Sequence, residues 1–361
     1  MKTIKILFTA FAALATLCAT AQSTQKFTAA KHNEYGLTYS LPTTHLCVQI
    51  KAEHVVRQAG PYYKYAKKYL GTTDVVTTDS EEWNLTDVQV SSFGVPSDDR
   101  YLMQFKSGSA PFVLTTADGV LLAMNTEKVE VPEKVQFGRM IEEATASKTA
   151  ASKSLPGELL VSESTAKRAE IAAQMIYQIR ESRTNYATGE VDHMPDGNAL
   201  KIIMQQLDEQ EAALTALFVG SITRGSAVRN YDVEVDTVDF KSQVIARISD
   251  FNGIVDKSDL SGEPVYLSMT ITDGPELPVN DKGEVKKLPK NALIYTIPGK
   301  ARFTVSYKGK DLVTETLGVA QLGTTFGLDP NLIGDKKAPS YVKFDPSTGA
   351  VTEIGPAAPM Q

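Results

Sequence analysis

The chain has 361 residues, 42% hydrophobic and 22% charged, which excludes a disordered or collagen-like protein and leaves room for more than one core. Lys and Arg number 37 against 43 Asp and Glu, a net charge of −6 that falls to −8 if an N-terminal leader carrying Lys2 and Lys5 is removed. That balance argues against a nucleic-acid partner, whose phosphates call for clustered Lys and Arg.

The leader itself is the clearest functional signal. Lys2 and Lys5 form a short positive region, and Ile6 to Leu17 is apolar except for Thr9 and Thr16. Ala19-Thr20-Ala21 then offers small residues where a signal peptidase reads them. The apolar run is too short to span a bilayer comfortably. Residues 1–21 are therefore expected to be a cleaved signal peptide, giving a periplasmic or cell-surface protein that starts at Gln22. A lipid anchor on Cys18 is disfavoured, because the bulky Leu17 precedes it where a small residue is needed. Cleavage leaves one cysteine, Cys47, which has no partner for an internal disulfide. Cys47 shares a strand face with His45, so it reads either as a reactive thiol beside an imidazole or as an inert, half-buried strand residue. No later segment is apolar enough to cross a membrane.

The fold class expected is α+β, mostly β. Residues 22–125 read as an N-terminal β domain. Leu46, Val48 and Ile50 alternate with polar neighbours, and Asp118-Gly119 turns between Phe112–Thr115 and Val120–Met124. One short helix interrupts this region at Gly60–Gly71, with Pro61 suited to its first turn and Gly71 to its exit. Residues 126–164 lose periodicity and read as a linker or long surface loop, with Thr145–Ser154 small and basic.

Residues 165–220 read as an antiparallel helical hairpin. Ser164 is the expected N-cap of a helix to about Tyr186, with Ala172, Met175, Ile176 and Ile179 on one face. A polar turn at 189–197 leads to a second helix from about Asn198 to Phe218, striped by Leu200, Ile203, Leu207, Leu214 and Leu217. Residues 221–361 hold seven or so short strands, which suggests a C-terminal β-sandwich with a surface loop at Asp273–Asn291 and a last hairpin turning through Pro346–Gly349.

Chemistry is sparse. With four histidines and no H-E-x-x-H, C-x-x-C, Gly-rich phosphate loop or G-x-S-x-G, neither a cofactor nor a metal is expected. Ser164-Thr165-Ala166-Lys167 has the S-x-x-K spacing of penicillin-binding enzymes, but no S-D-N occurs and Lys106-Ser107-Gly108 lies in the wrong order for K-T-G. Asp192–Gly197 is too thin in acidic oxygens for a calcium loop and suits a turn into a helix. The candidate ligand-binding residues are Tyr62, Tyr65 and Tyr69, whose rings can stack on a sugar or grip a partner. Their helical spacing equally suits a short helix docked through a core face.

Several segments together resemble one family. They are Gly60-Pro61-Tyr62 with Tyr65-Ala66 and Tyr69-Leu70-Gly71, then Thr188–Asp192, Leu214–Gly220, Ile294–Ala301 and Phe344–Gly349. In this order they resemble the secreted family of Gram-negative bacteria known only as domain of unknown function 4831. The resemblance implies export and a shared architecture and supplies no catalytic residues. The function expected is that of an exported, non-enzymatic binder of a protein partner or an envelope glycan. The alternative is a carboxylate-dependent hydrolase of glycans or peptides, which needs two acids about 5–10 Å apart and one raised pKa.

Overall fold

The alternation around Leu46–Ile50 belongs to one long strand on which much of the molecule is built. The computed structural model describes residues 23–26, 36–104, 111–143, 164–289, 292–334 and 338–357. The expected leader with Cys18, Lys106–Gly108, and the stretch 144–163 of the expected linker lie outside the described residues.

Strands β1 (Ser23–Lys26) and β2 (Leu37–Gln58) come first. A 3-10 turn at Tyr63–Tyr65 runs into α1 (Ala66–Leu70), and β3 (Ser80–Gln104) follows. Next come β4 (Val113–Thr115), β5 (Leu121–Met124), β6 (Ile141–Glu143), α2 (Thr165–Thr188) and α3 (Gly197–Val219). Strands β7 (Ser221–Glu234), β8 (Phe240–Ser249), β9 (Gly253–Asp256), β10 (Glu263–Asp273), β11 (Leu293–Tyr307) and β12 (Lys310–Leu328) form the next run. Helix α4 (Pro330–Gly334), β13 (Ser340–Phe344) and β14 (Val351–Pro356) close the chain.

The protein is mostly β, with antiparallel sheets and a half-barrel. Two sheets have five strands, ordered β1-β3-β2-β7-β6 and β12-β11-β10-β8-β9; a third has four, ordered β14-β13-β5-β4. Strand β2 pairs with β3 on one side and with β7 on the other, from His45↔Glu234 to Gln58↔Ser221. Strand β13 likewise pairs with β5, so segments far apart in sequence meet in the same sheets.

The period-two pattern of β2 sends Leu46, Val48, Ile50 and Ala52 inward, each fully buried. They meet Val265, Leu267 and Met269 of β10 and Phe303 and Val305 of β11, which joins the two five-stranded sheets face to face. Apart from Ala52, each of these side chains contributes about 1.5–3 kcal/mol on burial. The β11–β12 hairpin turns at Lys308-Gly309, both at positive φ (49° and 74°), as a tight two-residue turn with the right twist requires. A second core, with Tyr39, Met103, Met124, Val342 and Phe344, lies under the inner face of the four-stranded sheet.

The third core is helical. Ala169, Ala172, Ala173 and Ile176 of α2 meet Leu214 and Phe218 of α3 and Tyr62 and Ala66 beside α1. The small alanines allow close approach. Among the described residues, none is buried beyond Ile176 on α2 or before Ala213 on α3, so the far halves of both helices are more exposed than the halves beside α1. Ser164 sits at the N-cap of α2 as expected, though its side chain makes no capping bond. At α3 the cap is Asp196, whose carboxylate accepts from the Ala199 amide at 2.8 Å.

Candidate functional site

Two of the three candidate tyrosines flank one phenylalanine, and the third stands beside them. Tyr62 is buried and meets Phe218 edge-on at 5.6 Å, and Tyr69 meets the same ring at 6.4 Å. Tyr65 lies 6.4 Å from Tyr69, and the Tyr177 hydroxyl donates to the Tyr69 carbonyl. These contacts fasten α1 to the helical pair, while the rings of Tyr65 and Tyr69 remain half-buried.

His45 and Cys47 share the outer face of β2, yet the imidazole is engaged elsewhere. His45 Nδ1 lies 2.8 Å from Asp232 Oδ1, and its ring is beside Phe93, which in turn meets Phe137. Cys47 is buried. Burial pushes its thiol pKa up, and the Asp232 charge adds to this against a Ser91 hydrogen bond. A thiol held protonated is a poor nucleophile. An acidic cleft of about 790 Å³ opens nearby, lined by Asp232, Glu234, Asp236 and Asp256 with Tyr231 and Lys257. Two of its acids are already paired, Asp232 with His45 and Asp256 with Arg229 at 2.7 Å. Burial, opposed by Arg229 and aided by Asp256, pushes the Tyr231 phenol up to about 12. Among the described residues, no group of three His, Cys, Asp or Glu side chains could hold a metal ion.

The richest constellation lies on the outer face of the four-stranded sheet. Along β13, Val342 and Phe344 point into the second core, so Tyr341 and Lys343 point out. Lys343 is paired directly opposite Glu353 of β14, and Tyr341 is opposite Gly355. Lys343 Nζ lies 2.7 Å from Glu353 Oε2, the Tyr341 hydroxyl donates to Oε1 at 2.5 Å, and the ammonium stands 5.7 Å from the centre of the Tyr341 ring. The ring lies over Gly355, where a Cβ would come within 2.7 Å of it, so any larger residue there would push the Tyr341 ring aside.

Electrostatics keep this cluster charged. Hydrogen bonding from Lys343, then from Tyr341, holds the Glu353 carboxyl below the usual carboxylate range. The same bonds to Glu353 push the Lys343 ammonium and the Tyr341 phenol up. The cluster borders a cleft of about 700 Å³, within the size of small-molecule sites, together with Phe112, Asn125, Glu127 and Lys128. Asn125, at positive φ, donates its amide to the carbonyls of Ile333 and Ser340, both at 2.9 Å, and so fixes the cleft wall to the α4–β13 connection. Phe112 is 39% exposed.

These residues escaped sequence reasoning. Tyr341 and Lys343 could be assigned to the outer face by alternation, but their meeting with Glu353 and Phe112 depends on strand pairing that no local pattern states. No curated protein and no solved structure matches the chain. A family model described as Domain of unknown function (DUF4831) matches residues 35–352, and the chain belongs to that family.

Proposed function

We propose that the protein is exported and works in the periplasm or at the cell surface as a non-enzymatic binder of an envelope glycan, using the outer face of the four-stranded sheet. What carries this is the Tyr341–Glu353–Lys343 cluster, a set of charged donors and acceptors that lines one cleft with the half-buried Tyr341 ring and the exposed Phe112 ring. Aromatic surface combined with a few placed polar groups is the usual make-up of a small-ligand site. The charged, apolar, small-residue order of residues 1–21 supports export.

The hydrolase alternative needs a carboxyl kept protonated near neutral pH. Glu353 is held low, and so are Glu82, Glu211 and Asp259, the other carboxyls with a clear shift among the described residues. Held ionised by Lys343 and Tyr341, Glu353 suits accepting hydrogen bonds from a ligand better than donating a proton to a leaving group.

Thermal unfolding of the purified protein against envelope glycan fragments tests the binding half. A ligand at a hundred times its dissociation constant stabilises by about 2.7 kcal/mol, which raises Tm by several degrees. The rise should vanish in a Lys343→Ala, Glu353→Ala double variant, and the glycan should be recovered uncleaved. Cleavage products would favour the hydrolase. N-terminal sequencing of the protein from cell fractions tests the export half: a chain that keeps Met1 in the cytoplasm overturns it, and Gln22 in the envelope fraction supports it.

A further inference from the structure

We infer that the four-stranded sheet grips a vicinal diol of a neutral sugar, with Lys343 and Glu353 as a donor–acceptor fork and Phe112 as the stacking surface. This rests on the binding role proposed above and specifies its ligand. An ammonium has three donors, and Glu353 takes one of those on Lys343. The carboxylate has about four lone-pair sites, of which the Tyr341 hydroxyl and Lys343 fill two. The pair thus presents free donors next to free acceptors at a separation its own ion pair fixes. Two adjacent sugar hydroxyls match this, one accepting from Nζ while its neighbour donates to the carboxylate.

Charge selects a neutral ligand. The charged side chains lining the cleft, Lys343 and Lys128 with Glu353 and Glu127, sum to zero, so no net charge there draws an anion or a cation. The exposed Phe112 ring can take the apolar C–H face of a pyranose. Tyr341 is a positioning residue: its hydroxyl holds one oxygen of Glu353, and Gly355 leaves room for its ring.

The test is an NMR titration of the purified protein with methyl β-D-xylopyranoside, which carries three adjacent hydroxyls, and with its 3-deoxy analogue, which has no adjacent pair. The xyloside should shift resonances of β13 and β14, and the analogue should bind at least fivefold more weakly. Glu353→Gln, which keeps shape but removes the charge, should lower xyloside affinity about tenfold, and Tyr341→Phe should lower it less. Equal binding of the two xylosides overturns the diol assignment and leaves glycan binding standing. A response to a uronic acid or a short peptide but not to the xyloside also overturns it. If neither the xylosides nor larger envelope glycans shift these strands, glycan binding at this face falls too.

Discussion

The imidazole of His54 lies flat on the indole of Trp83, with ring centres 4.2 Å apart and planes 4° from parallel. The two residues face each other across β2 and β3, and His54 Nε2 is tethered to Glu81 at 2.8 Å. The indole also packs on Gly253, where a Cβ would fall 2.9 Å from Cδ2 and where φ is +70°. Trp83 belongs to the core between the two five-stranded sheets and is the sole tryptophan of the chain. Trp83→Ala should therefore cost about 3–5 kcal/mol in denaturant unfolding followed by circular dichroism. Gly253→Ala, which combines a strained backbone with a blocked contact, should cost about 1–3 kcal/mol and shift the fluorescence of Trp83. An unchanged spectrum and midpoint for Gly253→Ala would contradict this packing.

The two long helices differ at their starts. Asp196 caps α3 through the Ala199 amide, whereas Ser164 stands at the start of α2 without a side-chain bond. Asp196→Ala should cost about 1 kcal/mol and Ser164→Ala less than about 0.5 kcal/mol. Because the start of α3 lies in the half without buried residues, the loss should be local. Hydrogen exchange along Leu200–Leu207 should quicken in Asp196→Ala while the β-sheet amides keep their protection. Equal effects of the two substitutions would contradict the difference in capping.

The helical pair also contains the clearest acid-sensitive contact. Glu211 accepts from Arg180 at 2.7 Å and from Arg183 at 2.5 Å, and Arg183 reaches Asp208 as well. Burial pushes the Glu211 carboxyl up, but the two guanidiniums outweigh it and hold it below the usual range. A carboxyl depressed in the folded state stabilises fully above its unfolded-state pKa, about 4.3, and loses that contribution as pH falls through the folded value. Glu211→Gln should thus cost about 1 kcal/mol at pH 7, because solvent screens the partly exposed arginines. The difference from the unsubstituted protein should shrink below about pH 4. A difference that persists undiminished at pH 2.5 would assign the loss to packing.

Local chemistry made individual elements legible. Gly119 and Gly309 have the positive φ that Asp118-Gly119 and Lys308-Gly309 announce as turns, and the apolar stripes of α2 and α3 mark helices. Pairing was not legible, since β2 and β7 are each merely alternating strands and nothing near Cys47 names Asp232 as its cross-strand partner. The candidate site suffers most, because Phe112, Lys343 and Glu353 converge only once β4, β5, β13 and β14 are assembled. Some of the segments that carry the family resemblance are structural joints. A Cβ on Gly60 would meet the Leu217 carbonyl at 2.4 Å, and one on Gly349 would meet Pro42 at 2.8 Å. Such glycines mark where one segment packs closely on another, which is a packing role and not a chemical one.

One such joint supports a sharper test. Pairing of β2 with β7 stops at His45↔Glu234, and at the next residue, Thr44, the side chain of Gln321 from β12 takes the place of a strand neighbour. Its Oε1 accepts from the Thr44 amide at 3.0 Å, and its Nε2 donates to the carbonyls of Thr44 at 2.8 Å and Val235 at 3.2 Å. The fully buried Thr44 hydroxyl in turn donates to Ser347 at 2.8 Å and accepts from Ala320 at 2.9 Å, so two sheets and the last hairpin turn meet here. Thr44→Val keeps the shape and leaves a carbonyl and an amide without this partner, which should cost about 1–3 kcal/mol. Gln321→Glu is more telling, because an ionised carboxylate cannot donate to the two carbonyls and would be repelled by them. Its carboxyl pKa should be raised on folding, so the penalty should be full at pH 7 and relieved as pH falls toward 4, where a protonated carboxyl can donate one bond. Urea midpoints of Gln321→Glu and the unsubstituted protein, compared at pH 7 and pH 4.5, should therefore converge toward acid. Midpoints that stay equally far apart at both values would mean that the Gln321 amide is not the ladder partner of Thr44.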